Sequence, residues 1–431
     1  MKNCFQSIMP DSLTGAILAV EGIKEGTVIL NGPTGCKLYH SAISDEQLPT
    51  QLSFDPLNYP EEFYFGQPRV PCTYLDGYDY VYGSQEKLIK LLKDIKGKGC
   101  KLLAVINSPG AALIGDDLDR LIEEEMGKCL YFSMESTGFS GTFSEGFQNA
   151  IINVLSILLK NRNEVTPKSV NLIGISIYDK YFQGNIKEVE RLLKLCNIKT
   201  ISTICAGESI ENIKDALKAE YNVVLYPEYG LKIAKWMEEN FNIPYMILDE
   251  GVPIGFEATE NFVYNVCYKL NGDNTLFKEE LERAKARSYI YISRFNSLTG
   301  LPKGCTFSIR GETSTAYALA KWLYSYLGMI PLSIETQEGK GIFYEKLYNS
   351  LDNIGYKRAL TTSISENTAH IVFGDGNTIL QLRAKGKKFT GVEISLPTLG
   401  YINVIPKSIF GIKGSLMIVE QILNGLSFMY V

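Results

Sequence analysis

Short β-rich apolar runs alternate with helical stretches along all 431 residues, and this rhythm constrains the chain more than any other feature. Such alternation is the mark of strand-helix-strand units wound around parallel sheets. In the first third the runs are Thr27–Leu30, Tyr78–Tyr82 and Leu102–Ile106, with amphipathic helices expected over Ser84–Lys96 and Asp116–Met126. The pattern restarts at Val170–Ile175, passes through a charged helix at Ile186–Cys196, and continues with Thr200–Ile204 and Asn222–Tyr226. It restarts again near Cys305–Ile309 and ends with Ala369–Phe373, Gly391–Ile394 and a C-terminal helix. Polar or Gly/Pro-bearing breaks at 163–168 and 297–303 divide the chain into three α/β domains, 1–165, 166–297 and 298–431. The expected architecture is three doubly wound parallel-sheet domains around a central cleft. Ligands of such sheets sit beyond the carboxyl ends of the strands, so chemistry is sought in the loops that follow them.

Composition removes several function classes. A net charge of -5 offers no basic footprint for a nucleic-acid backbone. The longest apolar runs, 150–159 and 170–177, are about half a membrane span, and the N-terminus lacks a basic stretch followed by an apolar one, so the chain is expected in the cytoplasm. Nine cysteines stand singly, with no CxxC pair, which argues against a disulfide scaffold. With only two histidines, His40 and His370, a His-rich zinc site or a serine triad is hard to assemble. No GxxxxGK[ST] loop is present, so nucleotide chemistry is assigned to another polypeptide.

Three loops stand out. In Leu30-Asn-Gly-Pro-Thr-Gly-Cys36 a strand runs into two glycines and a proline that fix the place of Cys36, either as a ligand or as a buried residue of a tight turn. Asn107-Ser-Pro-Gly110 also follows a strand, and Asp116 and Asp117 then open a helix whose dipole they complement. Glu135–Glu145 is rich in glycine and hydroxyls and suits a lid or a ligand loop, which makes Ser136 a cleft candidate. Cys205 ends a middle-domain strand and is read either as facing the cleft or as a small buried hydrophobe. Tyr78, Tyr80 and Tyr82 are read as strand residues that pack.

In this order the loops resemble the component 1 family of nitrogenase-like oxidoreductases. The resemblance rests on Leu13–Ala16 with Glu21–Ile23, Gly32–Cys36, Asp79–Gly83, Ser108-Pro with Leu113–Asp117, and Thr137–Gly141. It continues through Asn171–Gly174, Phe241–Tyr245, Val252–Gly255 and Phe410–Gly414, and so spans the chain. It implies two homologous subunits, hetero- or homodimeric and in some cases tetrameric, with an iron-sulfur cluster at their interface held by N-terminal-domain residues. It also implies a separate ATP-dependent iron-sulfur reductase that delivers low-potential electrons, and a small molecule, tetrapyrrole or metallocofactor in the cleft.

At the three positions where the family usually carries interface cysteines this chain has Asp11, Cys36 and Ser108. Such a cluster takes four ligands, mostly soft, so one chain cannot complete it through these positions. The pattern resembles the dark-operative protochlorophyllide reductase, in which one subunit gives three cysteines and the other a single carboxylate. By that likeness Cys36 is the lone ligand to a [4Fe-4S] cluster completed by a paralogous partner. In the competing homodimer, two copies of Cys36 join two of Asp11 or of Cys72, the last of which is equally read as core. The position matching the nitrogenase cofactor cysteine is Tyr226, and His370 does not match the cofactor histidine, so dinitrogen reduction is not expected. A reductase subunit, a scaffold for a metal cluster or tetrapyrrole, and a structural partner of a cluster-bearing paralogue are the three readings that follow.

Overall fold

The computed structural model describes residues 10–46, 70–97, 99–135, 141–337, 341–366, 368–396 and 400–429. Ser136 lies outside them. Three separate sheets are all parallel. In the N-terminal part α1 (Ser12–Glu21), β1 (Gly26–Asn31), α2 (Thr34–Glu46), α3 (Asp79–Tyr82), α4 (Gln85–Gly97), β2 (Leu102–Asn107), α5 (Pro109–Ala112), α6 (Leu118–Met126), β3 (Leu130–Met134) and α7 (Phe143–Leu158) surround the sheet β1-β2-β3. The middle part holds β4 (Ser169–Ile173), α8 (Phe182–Leu195), β5 (Lys199–Thr203), α9 (Ile210–Asp215), β6 (Tyr221–Val224), α10 (Pro227–Phe241) and β7 (Tyr245–Ile247), with sheet order β5-β4-β6-β7. Two helices, α11 (Phe256–Leu270) and α12 (Thr275–Thr299), lead on. The last part comprises β8 (Thr306–Gly311), α13 (Thr313–Leu327), β9 (Ile330–Thr336), α14 (Ile342–Asn353), β10 (Ile371–Asp375), α15 (Gly376–Ala384), β11 (Thr390–Ser395) and α16 (Gly411–Met429), with sheet order β11-β10-β8-β9.

The strands read as continuous apolar runs because helices cover both faces: every residue of β2 and of β4 is buried. Two of the sheets reverse their strand order, between β4 and β6 and between β8 and β10, and such switch points open a crevice at the carboxyl ends of the strands. The first sheet has the order β1-β2-β3, and residues 71–73, which come between β1 and β2 in the chain, lie parallel on the other edge of β1 through a bridge between Leu30 and Cys72, so here too the chain leaves one strand towards both sides. Helix α1 is buried over nearly its whole length because it lies backbone to backbone on α7: a Cβ at Gly15 would stand 2.1 Å from the Phe143 carbonyl oxygen, and one at Gly146 1.9 Å from that of Ser12.

One expected strand is overturned. Asp79–Tyr82 forms a helical turn, not a strand, and its aromatic residues face outward. The cause is local: the Asp76 carboxylate accepts from the Tyr78 amide at 2.9 Å, the Asp79 carboxylate accepts from the Asp76 amide at 2.7 Å, and Lys87 pairs with both acids. Side-chain bonds of this kind give the backbone an alternative to a sheet ladder and outweigh the β preference of tyrosine. The break expected at 297–303 begins inside α12, which runs on to Thr299 before Gly300 ends it in a left-handed conformation.

Candidate functional site: a half-open rim and a closed crevice

The carboxyl ends of β1 and β2 are locked together before any functional side chain is placed. Asn31 and Asn107 are register partners, and the Asn31 amide donates to the Asn107 side-chain oxygen at 2.8 Å and to Ser84 Oγ at 3.3 Å. Residues 71–73 run beside β1, where the Thr73 hydroxyl donates to Asn31 Oδ1 at 2.8 Å and accepts from the Gly32 amide at 2.9 Å. The Ser108 amide donates to the Asn31 carbonyl at 2.8 Å. A Cβ at Gly32 would lie 2.7 Å from Ser108 Oγ, so glycine is what lets the two loops touch.

This frame brings Asp11, Cys36 and Ser108 together and sets Cys72 beside them. Cys36 stands in the first turn of α2, half-buried. Burial raises its thiol above the ordinary range, the Asp11 carboxylate raises it further, and a hydrogen bond from the Ser108 hydroxyl pulls it back. Asp11 caps α1 through Oδ1, which accepts from the Thr14 amide at 2.9 Å and the Thr14 hydroxyl at 3.0 Å. Ser108 likewise caps α5, accepting from the Ala111 amide at 3.3 Å. Cys72 is buried, with its thiol donating to the Gly32 carbonyl at 3.3 Å. Burial raises it too, while Lys37 opposes the rise.

Large apolar side chains are exposed on the segments that follow these residues in the chain. Leu38, Tyr39, Tyr74, Tyr78, Val81, Tyr82 and Leu113 are all exposed, Leu113 at 88%. The Tyr78 and Tyr82 rings pack at a tilt with centroids 4.5 Å apart, and Tyr80 lies against Gly110, where a Cβ would meet its hydroxyl at 2.8 Å. Burial raises the Tyr80 phenol, and Cys36, Asp79 and Cys72 add to the rise, which places its phenol beside the same rim. Reading these tyrosines as strand residues hid the patch from the sequence; the Asp76, Asp79 and Lys87 triplet was the signal for it.

The crevice at the switch point between β4 and β6 is the opposite case. Tyr226 follows β6 and is 2% exposed; its hydroxyl bonds to Asp179 and Thr315, and its ring packs on Tyr229 at 5.9 Å and Phe410 at 5.6 Å. Asp179 is partly buried and accepts from the Tyr181 amide at 2.9 Å and from Asn185 at 3.0 Å. Burial nevertheless pushes its carboxyl up to about 6. Asn185 in turn accepts from the Ser408 hydroxyl and the Ile409 amide, which ties the start of α8 to the segment before α16. Cys205 is fully buried at a positive φ of 55°, its carbonyl pressed on Gly22, and burial drives its thiol far up. It therefore lines no open surface among the described residues.

An iron-sulfur cluster needs about four donors, mostly thiolate. The rim offers Cys36 and, through the free edge of its cap, Asp11; Ser108 holds the Cys36 sulfur, and Cys72 points at a carbonyl. Among the described residues no three His, Cys, Asp or Glu side chains converge to hold a metal. The donors among the described residues thus suit part of a shared site. No described helix is long and apolar enough to cross a membrane.

The model of the family described as nitrogenase component 1 type oxidoreductase matches residues 12–427. The chain is 26% identical over 338 residues to the nitrogenase iron-molybdenum cofactor biosynthesis protein NifE of Clostridium pasteurianum, covering 77% of this chain and 69% of that protein. It is 30% identical over 172 residues to the B-type subunit of the light-independent protochlorophyllide reductase of Crocosphaera subtropica, covering 37% of this chain and 32% of that protein. It is also 28% identical over 246 residues to the nitrogenase molybdenum-iron protein alpha chain of Methanothermobacter thermautotrophicus, covering 55% and 50%. Among solved structures, "Nitrogenase Cp1 at pH 6.5" aligns with a TM-score of 0.79 at 18% identity over 100% of this chain and 95% of that one, a likeness of fold.

Proposed function

Because the chain belongs to the nitrogenase component 1 type oxidoreductases, we propose that it is one half of a nitrogenase-like, ATP-dependent reductase complex, with a substrate other than dinitrogen. In this reading its rim contributes Cys36, with Asp11 as a second donor, to a [4Fe-4S] cluster shared with a homologous subunit. Such a cluster, when bound, supplies one-electron transfer at low potential. The residues of this chain do the positioning: Ser108 holds the Cys36 sulfur, Gly32 brings the two loops into contact, and the exposed tyrosines and leucines form the apolar surface on which the partner sits. The reductase that hydrolyses ATP is a separate protein. The three units 1–165, 166–297 and 298–431 enclose the cleft for a small-molecule, tetrapyrrole or metallocofactor substrate, and the complex works in the cytoplasm.

The observation that carries this reading is the meeting of Asp11, Cys36 and Ser108 at the carboxyl ends of β1 and β2, on segments that also expose large apolar side chains. A scaffold role in metal-cluster or tetrapyrrole assembly is the second reading, favoured by the long alignment with NifE. Anaerobic production of the chain alone and with a cysteine-rich homologue, followed by iron and sulfide analysis, tests the first. A colourless chain alone, a brown complex, and loss of colour on Cys36→Ala are expected. About two irons and two sulfides on the isolated chain would instead indicate a symmetric homodimer sharing one four-iron cluster. Colour retained in the Cys36→Ala complex refutes ligation by Cys36 and leaves the chain a structural partner. A scaffold releases its cargo to an acceptor without turnover, whereas a reductase consumes ATP only with its partner present.

A further inference from the structure

The thiols of Cys100 and Cys129 lie together at the end of the N-terminal sheet opposite the rim. The parallel register of β2 and β3 pairs Leu102 with Leu130, so Cys129, just before β3, falls beside Lys101 and one residue from Cys100. Parallel strands run about 4.8 Å apart, which sets such diagonal neighbours inside the Cα separation of about 4.4–6.8 Å that a disulfide spans. The Cys129 sulfur reaches the Cys100 carbonyl at 3.5 Å and is in hydrogen-bond contact with the Cys100 thiol. Both residues are half-buried and so open to small reagents. A second thiol pair, Cys196 and Cys267, is also in contact but is buried where the end of α8 meets α11.

We propose that Cys100 and Cys129 form a redox couple that closes to an intrachain disulfide on exposure to a low-molecular-weight disulfide. The Cys129 thiol is pushed up to about 12 by burial and by the neighbouring Cys100, which disfavours Cys129 as the first nucleophile of the pair. Cys100 loses its proton and displaces one reagent thiol, leaving a mixed disulfide. Cys129 then loses its proton and displaces the second reagent thiol from Cys100. Two protein thiols are oxidised to one disulfide, and the reagent disulfide is reduced to two thiols. The bond staples β2 to β3 across a loop that contains α5 and α6, and a dithiol reductant reopens it.

The test treats the full-length chain, purified anaerobically, with oxidised glutathione and maps its cysteines by peptide mass spectrometry. A Cys100–Cys129 linked peptide is expected, formed first among all pairs, with Cys196 and Cys267 still reduced until denaturant is added. Cys100→Ser and Cys129→Ser should each accumulate a stable glutathione adduct at the remaining thiol of the pair, an adduct that does not persist in wild-type. Stable separate adducts at both residues of wild-type, or earlier linkage of any other pair, overturns the proposal. So does linkage that appears only after unfolding.

Discussion

The rim at the ends of β1 and β2 and the crevice at the end of β6 are both built on carboxyl ends of parallel strands, and they differ in completeness. At Tyr226 the polar groups are matched within the chain and the rings of Tyr229 and Phe410 fill the space beside it. At Cys36 the frame is hydrogen-bonded, apolar side chains of the adjoining segments are exposed, and among the described residues no three metal-ligating side chains converge. Burial at the first place serves stability, whereas exposed apolar side chains at the second are a feature that marks interaction surfaces. The strand ends therefore mark where a site can lie, and the state of the side chains distinguishes a finished surface from an unfinished one.

Substitution in the crevice is the harshest way to break this contrast. Tyr226→Ala removes a buried ring and strips Asp179 of a donor, so a loss of about 3–5 kcal/mol in denaturant unfolding is expected. Cys36→Ala at the rim should stay within about 1 kcal/mol of wild-type in the same assay. Equal losses would erase the distinction between the two regions.

Protonation sharpens it next. Asp179 titrates near 6 when folded, above its unfolded value, so its proton is bound more tightly in the native state. The stability it contributes is present below the unfolded pKa of about 3.9 and is lost as pH rises through the folded one. Between pH 4 and 7 the unfolding free energy of Asp179→Asn should therefore gain about 2–3 kcal/mol relative to wild-type. A constant difference across that range would place Asp179 in water.

At the rim the expected effects concern association and reactivity. Replacing Tyr78 and Tyr82 by serine should leave the unfolding midpoint of the isolated chain unchanged and weaken binding to the homologous subunit about tenfold, or about 1.4 kcal/mol. Sedimentation of the mixed subunits measures this, and undiminished binding would remove the patch from the interface. Smaller still, Asp11→Asn should speed alkylation of Cys36 by roughly two- to fivefold at pH 8, and Ser108→Ala should slow it, because the first lowers the thiol pKa and the second raises it. Rates followed by mass spectrometry across pH check both signs.

Much of the architecture was legible because parallel strands buried on both faces write themselves as short apolar runs, as Leu102–Ile106 and Val170–Ile173 do. The strands β3, β7 and β9 are not among the runs singled out from the sequence: each is only partly buried, and short stretches such as Leu130–Phe132 and Tyr245–Ile247 cannot be told from helix or loop by pattern alone. The loop of Cys36 was legible because glycine and proline at fixed spacing have few uses. The rim of tyrosines was not, since Asp76, Asp79 and Lys87 impose a helical turn that side-chain alternation cannot reveal. Nor does a string of residues show that Tyr226 bonds to Asp179, a pairing made only when the loops after β4 and β6 meet.

The amides and hydroxyls that join Asn31, Thr73, Ser84, Asn107 and Gly32 beneath Cys36 have a thermodynamic consequence for whatever occupies the rim. The conformational entropy of these loops is already lost when the sheet forms. If Cys36 serves as proposed, a partner or cofactor meeting it would find a preorganised seat, so that the free energy of its contacts would go to affinity and not to ordering the loop.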